Sequence, residues 1–434
     1  MTEVAIVGAG LAGLACGREL TSRGLSCVLL EASDGVGGRA RTDLVDGFQL
    51  DRGFQVLLTA YPEAQRVLDY PSLQLRPFEP GALVRYQGRF HRIADPWRRP
   101  SAALGTLVSP VGTLGDKLKL GSLRHKLTSA DSAPRFPETS TLECLSDFGF
   151  SPAILERFFR PFLGGIFLER ELATSSRMLE FVFRMFSLGE AALPAIGMGA
   201  MAAQLASHLP KDSIRLRQKA VRVAPGCVTL ASGEEVRARA VVVATDHGTA
   251  AQLLPGMRRL SSSGTTCFYF AADRAPVSEP VLVLNGDGVS PGTNGGLINH
   301  LCVPSVVAPS YAPSGKHLVS ANVIGQAAAP PVEEIRSQLV GWFGPNAKSW
   351  RHLRTDWIPD ALPEQTPVSG GIRHESGLIQ SGLIQSGQTQ AGLYVCGDHC
   401  ESASINGALA SGRFTAEAIA AEVAKTPGGT KTLS

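Results

Sequence analysis

The apolar positions of this chain change period several times, and each change marks an element. Residues 3–20, "EVAIVGAGLAGLACGREL", open with a short unbroken apolar run, the pattern of a strand buried on both faces. A glycine turn and apolar residues at helical spacing follow. Residues 26–32, "SCVLLEA", form a second buried run. Residues 212–247, "DSIRLRQKAVRVAPGCVTLASGEEVRARAVVVATDH", alternate as strands joined by "PG" and "SGEE" turns and end in a core strand, "AVVVAT". Between residues 264 and 330 the segments "TTCFYFAAD", "PVLVLNG", "GLINHLCV" and "HLVSANVIG" predict a second sheet. Residues 393–396 are a last buried strand, and from residue 404 the small-residue run "SINGALASGRF" opens a helix. The tandem "SGLIQSGLIQ" at 376–385 has period five, which suits neither helix nor strand, and reads as a duplicated loop.

Nine of the eighteen phenylalanines lie between Phe148 and Phe186, and Met178, Phe181, Val182, Met185 and Phe186 fall at helical spacing. They form either a layer packed on its own sheet or the lining of a tunnel for a long apolar substrate. At 434 residues the chain is too long for one small core, so two domains are expected. The net charge of +3 gives no case for nucleic acid. It is unevenly placed, because residues 85–126 hold nine Lys and Arg against Asp95 and Asp116, a net +7 that leaves the remainder near −4. That segment, which includes Trp97, is either a solvated face or a patch for an anionic membrane surface. Eight cysteines scattered mostly through apolar runs suggest a reducing compartment. With no leader pattern at "MTEVAIVGAG" and no apolar run long enough to span a bilayer, the expectation is a cytoplasmic protein, with peripheral membrane attachment left open.

Chemistry enters at the first turn. Gly8, Gly10 and Gly13, with Ala9, Leu11 and Ala12 between them, form the dinucleotide fingerprint. Glu31, followed by Ala32, ends the second strand eighteen residues after Gly13, where its carboxylate can accept from a ribose. The helix start offers free amides and a positive dipole end to phosphates. Just beyond, Gly37, Gly38 and Arg39 resemble the second motif of flavoprotein oxidases, where the glycine pair passes the pyrophosphate and ribityl chain, which implies non-covalent FAD.

With these motifs at both ends, nearly the whole chain resembles the superfamily of flavin-dependent amine oxidases, protoporphyrinogen oxidases and carotenoid desaturases. "LDRGFQVLLTAYPEAQRVLDYPSLQLR", with Gly53, Phe54, Tyr61 and Pro62, is similar to the corresponding stretch of phytoene desaturases, although Gln55 stands where those enzymes usually carry His. The resemblance implies an α/β fold: a two-domain FAD oxidoreductase with a three-layer Rossmann-like FAD domain and an inserted sheet-plus-helices substrate domain. Residues 1–75, 205–258 and 355–425 would make the FAD domain, 76–204 and 259–354 the substrate domain, and 426–434 a flexible tail. It also places Val221 against the adenine, Thr245 near the cofactor, and Gly397 and Asp398 at the ribityl chain. Ser404, Ile405, Asn406 and Ala408 would open a helix beneath the flavin ring, with Gly53, Phe54 and Gln55 near it.

Several departures bear on substrate. Ser404 occupies the position where amine oxidases tend to place a cage aromatic. "SSGTTCFYFAADR" offers Thr265 and Thr266 but no Lys, and Asn406 replaces the usual Glu. These count against an amine. Gly197, Gly199 and Ala202 imitate a second fingerprint, yet no buried strand precedes them and no acid follows at the right distance. Electrons are therefore expected to leave to oxygen, a quinone or another carrier. Cys396, His399 and Cys400 could pass for half a zinc site, but no further ligands converge nearby, which leaves incidental cysteines, redox-sensitive thiols or a covalent flavin link. His300 and Asn299 either face the substrate pocket or are satisfied core groups. The expected reaction is hydride removal from an apolar, isoprenoid small molecule to form a double bond. The alternatives are amine or protoporphyrinogen-type oxidation and, in another class, a redox-neutral isomerase or a non-catalytic flavin-binding protein.

Overall fold

The computed structural model describes residues 2–94, 109–128, 136–254, 256–257, 259–288, 296–325, 328–367, 387–390 and 392–425. The "SGLIQ" duplication, Trp97 and the tail at 426–434 lie outside the described residues.

The apolar run at the N-terminus is the centre of the first sheet. Strand Thr2–Val7 pairs in parallel with Cys27–Leu30 on one side and with Glu235–Val243 on the other. Ile214–Arg215 extends the sheet beyond Cys27–Leu30, and Leu393–Val395 extends it beyond Glu235–Val243, also in parallel. Three distant stretches of chain thus meet in one sheet. Its side chains alternate between two cores, which is why the run is apolar without a break. Val4 and Ile6 pack beneath the helices Leu11–Ser22, Gly199–Ser207 and Ile405–Lys425, while Ala5 and Val7 pack against the antiparallel ribbon Ala220–Ala224 and Cys227–Leu230. The expected three layers are therefore helices, parallel sheet and ribbon. The two longest of these helices can lie together because their contact is made of small residues. A Cβ at Gly412 would come 2.1 Å from the Ala12 carbonyl oxygen.

The second sheet has seven strands in the order Arg351–Pro363, Ser262–Ala272, His317–Ile324, His300–Cys302, Leu282–Asn285, Gly81–Tyr86, Arg89–Ala94. Alternation again divides its faces. Phe268, Phe270, Val319, Ala321 and Leu301 pack outward under helix Val332–Phe343, and Cys267, Tyr269, Leu318 and Cys302 look toward the first domain. The domain boundary expected at residue 355 is corrected here, because it falls inside strand Arg351–Pro363. That strand pairs with Ser262–Ala272 from Arg351 to Pro363 and belongs to the second sheet throughout. The basic stretch begins as a hairpin of the same sheet, Gly81–Tyr86 with Arg89–Ala94.

The phenylalanine-rich layer consists of helices Leu114–Thr128, Thr141–Asp147, Arg160–Phe167 and Ser176–Leu188, with a single wide turn at Leu155–Phe159. The pseudo-fingerprint has a structural use. The amide of Met198 donates to Asp51 Oδ1 at 2.9 Å and that of Gly199 to Thr42 Oγ1 at 2.9 Å, so the start of helix Gly199–Ser207 is already satisfied. These amides are not open to a phosphate.

Candidate active site

A cavity of about 810 Å³ runs from the first glycine turn to the phenylalanine layer. At its nucleotide end, Gly8 has φ +103° and a Cβ there would sit 2.8 Å from the Ala244 carbonyl oxygen. A Cβ at Gly13 would come 2.1 Å from the Gly8 oxygen, so helix Leu11–Ser22 rises directly off the turn. Nothing would meet a Cβ at Gly10 within 4 Å, because that side is open cleft. No side chain caps this helix, which leaves its first amides available to an anion. The second glycine turn is stitched to the first: the Gly37 amide donates to the Ala9 carbonyl at 2.8 Å, and a Cβ on Gly38 would lie 3.4 Å from Gly10 Cα. Together they form a cradle that side chains would fill, which fits the pyrophosphate of FAD.

Glu31 is buried at the end of its strand. Its carboxylate accepts from the Ala9 amide at 2.8 Å and from the Ser33 amide at 2.9 Å, which fixes its position beside Ala32 on the cleft wall. Gly8, Gly10, Leu11, Ala12, Gly37, Gly38 and Thr245 also line the cleft, whereas Ala9 and Gly13 lie behind it and shape the turn. Val221 is corrected: it is 53% exposed and does not line the cleft, because its strand turns it outward. Gln218, Lys219 and Ala220 line the cleft instead.

In the middle of the cavity, Arg39 donates to Asp398 Oδ1 at 2.7 Å and to the Ala361 carbonyl at 2.8 Å. Burial pushes the Asp398 carboxyl up, but the Arg39 guanidinium and the neighbouring His399 outweigh it and hold Asp398 well below the usual carboxylate range. Arg39 therefore reaches the cofactor's path already anchored by the acid expected at the ribityl chain. Gln55, where desaturases usually carry His, donates its amide to the Arg39 carbonyl at 2.8 Å and so braces the glycine-pair turn. Gly53, with φ +82°, lies against Ile358, and Phe54 stands edge-on to Phe78 at 6.4 Å.

Gly397, Ser404, Ile405 and Ala408 line the cavity. Ser404 caps the last helix by accepting from the Gly407 amide at 3.0 Å. Asn406 is corrected: it does not line the cavity, and its Oδ1 accepts from the Glu63 amide at 2.9 Å, tying the start of helix Pro62–Val67 to the last helix. Sequence reasoning missed Ile358, Ala361 and Leu362, which approach the cleft from strand Arg351–Pro363. No motif marks them, since only the pairing of that strand brings them in.

The far end is mostly apolar, with Arg124, Ser187 and Glu190 also on the cavity wall. Phe158, Phe162, Ile166, Phe183 and Phe186 line it, with Phe158 stacked on Phe162 at 5.3 Å. Phe150, Phe159 and Phe167 are buried in the layer itself. The phenylalanine cluster thus divides between core and cavity wall. Thr265 lines the cavity while Thr266 faces away, and neither supplies a cation. His300 lines the cavity against Phe54, 5.6 Å between rings, and burial pushes its pKa down to about 4.

Cys396 and Cys400 are free and buried. The Cys396 thiol is pushed well up by its hydrogen-bonded neighbour Cys16 and by burial, and Cys400 chiefly by burial, so both are held as inert thiols. No group of three or more metal-ligating side chains converges among the described residues.

Comparison with known proteins agrees with this geometry. Residues 11–420 match the family model described as flavin containing amine oxidoreductase. Over 166 residues the chain is 29% identical to protoporphyrinogen oxidase 2, chloroplastic/mitochondrial, of Arabidopsis thaliana; the match covers 38% of this chain and 32% of that one. The chain therefore spans about a third of the length of this curated relative. Among solved structures, a putative protoporphyrinogen oxidase from Exiguobacterium sp. 255-15 superposes with a TM-score of 0.70 at 18% identity, covering 97% of this chain and 99% of that one. Cyclohexylamine oxidase from Brevibacterium oxydans IH-35A superposes with a TM-score of 0.66 at 18% identity, covering 98% and 100%. At such identities the likeness shows the fold.

Proposed function

The chain belongs to the flavin containing amine oxidoreductase family, whose members are FAD-dependent oxidoreductases, and from that premise we propose that it removes hydride from an apolar, isoprenoid-sized molecule to leave a double bond. The observation that carries this reading is the continuity of the flavin cleft with an end walled by Phe158, Phe162, Ile166, Phe183 and Phe186. Bound FAD supplies the hydride acceptor; the protein binds, orients and keeps out water. Gly8, Gly10, Gly37 and Gly38 would hold the pyrophosphate, Glu31 the ribose, and the Arg39–Asp398 pair the ribityl chain. The N-terminus of helix Ile405–Lys425, aimed at the cavity, would favour negative charge on reduced flavin. The apolar wall excludes water from the substrate's reacting carbon.

An amine is disfavoured on the chain's own residues. Ser404 replaces a cage aromatic, Thr265 brings no ammonium to the flavin side, and His300 is held neutral. Oxidation of a protoporphyrinogen-type substrate is the second reading, favoured by the similarity to the Arabidopsis enzyme. The acceptor for the flavin's electrons would be oxygen or a quinone.

Helix Leu114–Thr128 supports delivery from a membrane surface. It exposes Leu114 (60%) and Leu118 (69%) beside Lys117 and Lys119, while Leu120 and Arg124 on the same helix line the cavity. Among the described residues no helix is long and apolar enough to cross a bilayer, so any attachment through this helix would be peripheral.

The test is anaerobic mixing of purified flavin-loaded protein with polyprenes in anionic liposomes and, separately, with soluble amines and porphyrinogens. Bleaching of the flavin by polyprenes alone is expected, and Leu118→Glu should reduce flotation with the liposomes. Bleaching by amines alone would overturn the reading.

A further inference from the structure

Asn299 and His300 stand at the start of one short strand of the roofing sheet, and their hydrogen bonds determine what the imidazole shows to the cavity. Arg170, which can only donate, places its guanidinium on Asn299 Oδ1 at 2.8 Å. The Pro161 carbonyl, which can only accept, takes Asn299 Nδ2 at 2.9 Å. These two partners settle the orientation of the amide: oxygen toward Arg170, NH2 toward Pro161. The same NH2 lies 3.1 Å from His300 Nδ1, so Nδ1 must accept and the ring proton sits on Nε2. A Cβ on Gly165 would come 2.9 Å from Nδ1, so helix Arg160–Phe167 closes over that edge of the ring. Nε2 has no hydrogen-bond partner among the described residues, and His300 lines the cavity in contact with Phe54.

We propose that His300 is a specificity-determining residue that presents Nε2–H as a fixed, neutral donor and selects substrates carrying a hydrogen-bond-accepting oxygen, a carbonyl or hydroxyl, at that point of an otherwise apolar molecule. Asn299 and Arg170 are positioning residues that hold the tautomer. An ammonium finds no acceptor in this ring, and a plain hydrocarbon leaves a buried N–H unsatisfied, which costs more than the bond itself gains. The inference rests on the reading of the cavity as the substrate site and narrows its apolar, isoprenoid-sized substrate to one that carries such an oxygen.

The test is calorimetric titration of the flavin-loaded protein at neutral pH with three ten-carbon probes: 2-decanone, decylamine and decane. The ketone is expected to bind more tightly than the charged amine. The ketone-to-decane affinity ratio should fall by roughly threefold to tenfold in His300→Leu. His300→Gln, whose amide can put an N–H where Nε2–H stood, should restore most of that ratio. Flavin content and melting temperature of each variant report folding separately. An unchanged ratio in His300→Leu, or a preference for decylamine in the unmodified protein, would overturn the role of His300 while leaving the cavity intact. Binding of none of the probes would overturn the cavity reading and this inference with it.

Discussion

Asp398 and Asp51 are both buried carboxyls, and their surroundings push them in opposite directions. Asp398 faces the Arg39 guanidinium, which overcomes the burial penalty and keeps the acid ionised. Asp398→Ala would leave Arg39 without its anchor at the path of the ribityl chain. The protein should then purify with less than one flavin per chain and bind added FAD roughly tenfold to a hundredfold more weakly. Recovery with full flavin would contradict the placement of that loop. Asp51 has no such cation in contact. Burial lifts its pKa to about 6, against the pull of Thr42, the Met198 amide and Tyr311. The unfolded value is near 3.9, so the folded protein holds this proton more tightly between the two values. Its contribution to stability is full below pH ~4 and is lost as pH rises through about 6, a change of roughly 3 kcal/mol. Asp51→Asn cannot titrate, so its melting temperature should gain on that of the unmodified protein as pH rises from about 4 to 7. A constant difference across that range would show that Asp51 does not titrate there.

The elements meet through a few such contacts. Arg413 on the last helix grips Glu63 with Nε at 2.7 Å and a terminal nitrogen at 3.0 Å, and Asn406, the second residue of that helix, takes the Glu63 amide. Both ionic partners are largely buried, so Glu63→Ala would strand a guanidinium and cost about 3 kcal/mol. Denaturant unfolding measures it; a loss below ~1 kcal/mol would mean the pair is wetter than its burial indicates. The same elements show what could be read from the chain alone. The glycine turns, Glu31 and the last strand were legible because backbone geometry demands particular residues at particular spacings. Strand Arg351–Pro363 was not. Its wall residues Ile358, Ala361 and Leu362 acquire a role only through pairing with a strand some ninety residues earlier. Val221 and Asn406 went astray for a related reason: a position can be placed from a motif, but the direction of its side chain follows from strand twist and from which backbone amide needs a partner.

At the scale of the molecule, the two sheets divide the work. The first, assembled from three distant stretches of chain, supplies the nucleotide cradle, and the second roofs the cavity with one face. Composition announced the phenylalanine layer but could not tell wall from core, because Phe158 and Phe159 are neighbours in sequence and only the packing separates them. The central claim is that this arrangement forms a double bond in an apolar substrate at the expense of FAD. It is tested most directly by mixing flavin-loaded protein anaerobically with a polyprene that carries a hydroxyl or carbonyl group, then weighing the recovered lipid by mass spectrometry against the flavin bleached. The account predicts one product lacking a pair of hydrogens for each flavin reduced. Recovery of unchanged or isomerised polyprene with the flavin still oxidised would contradict it.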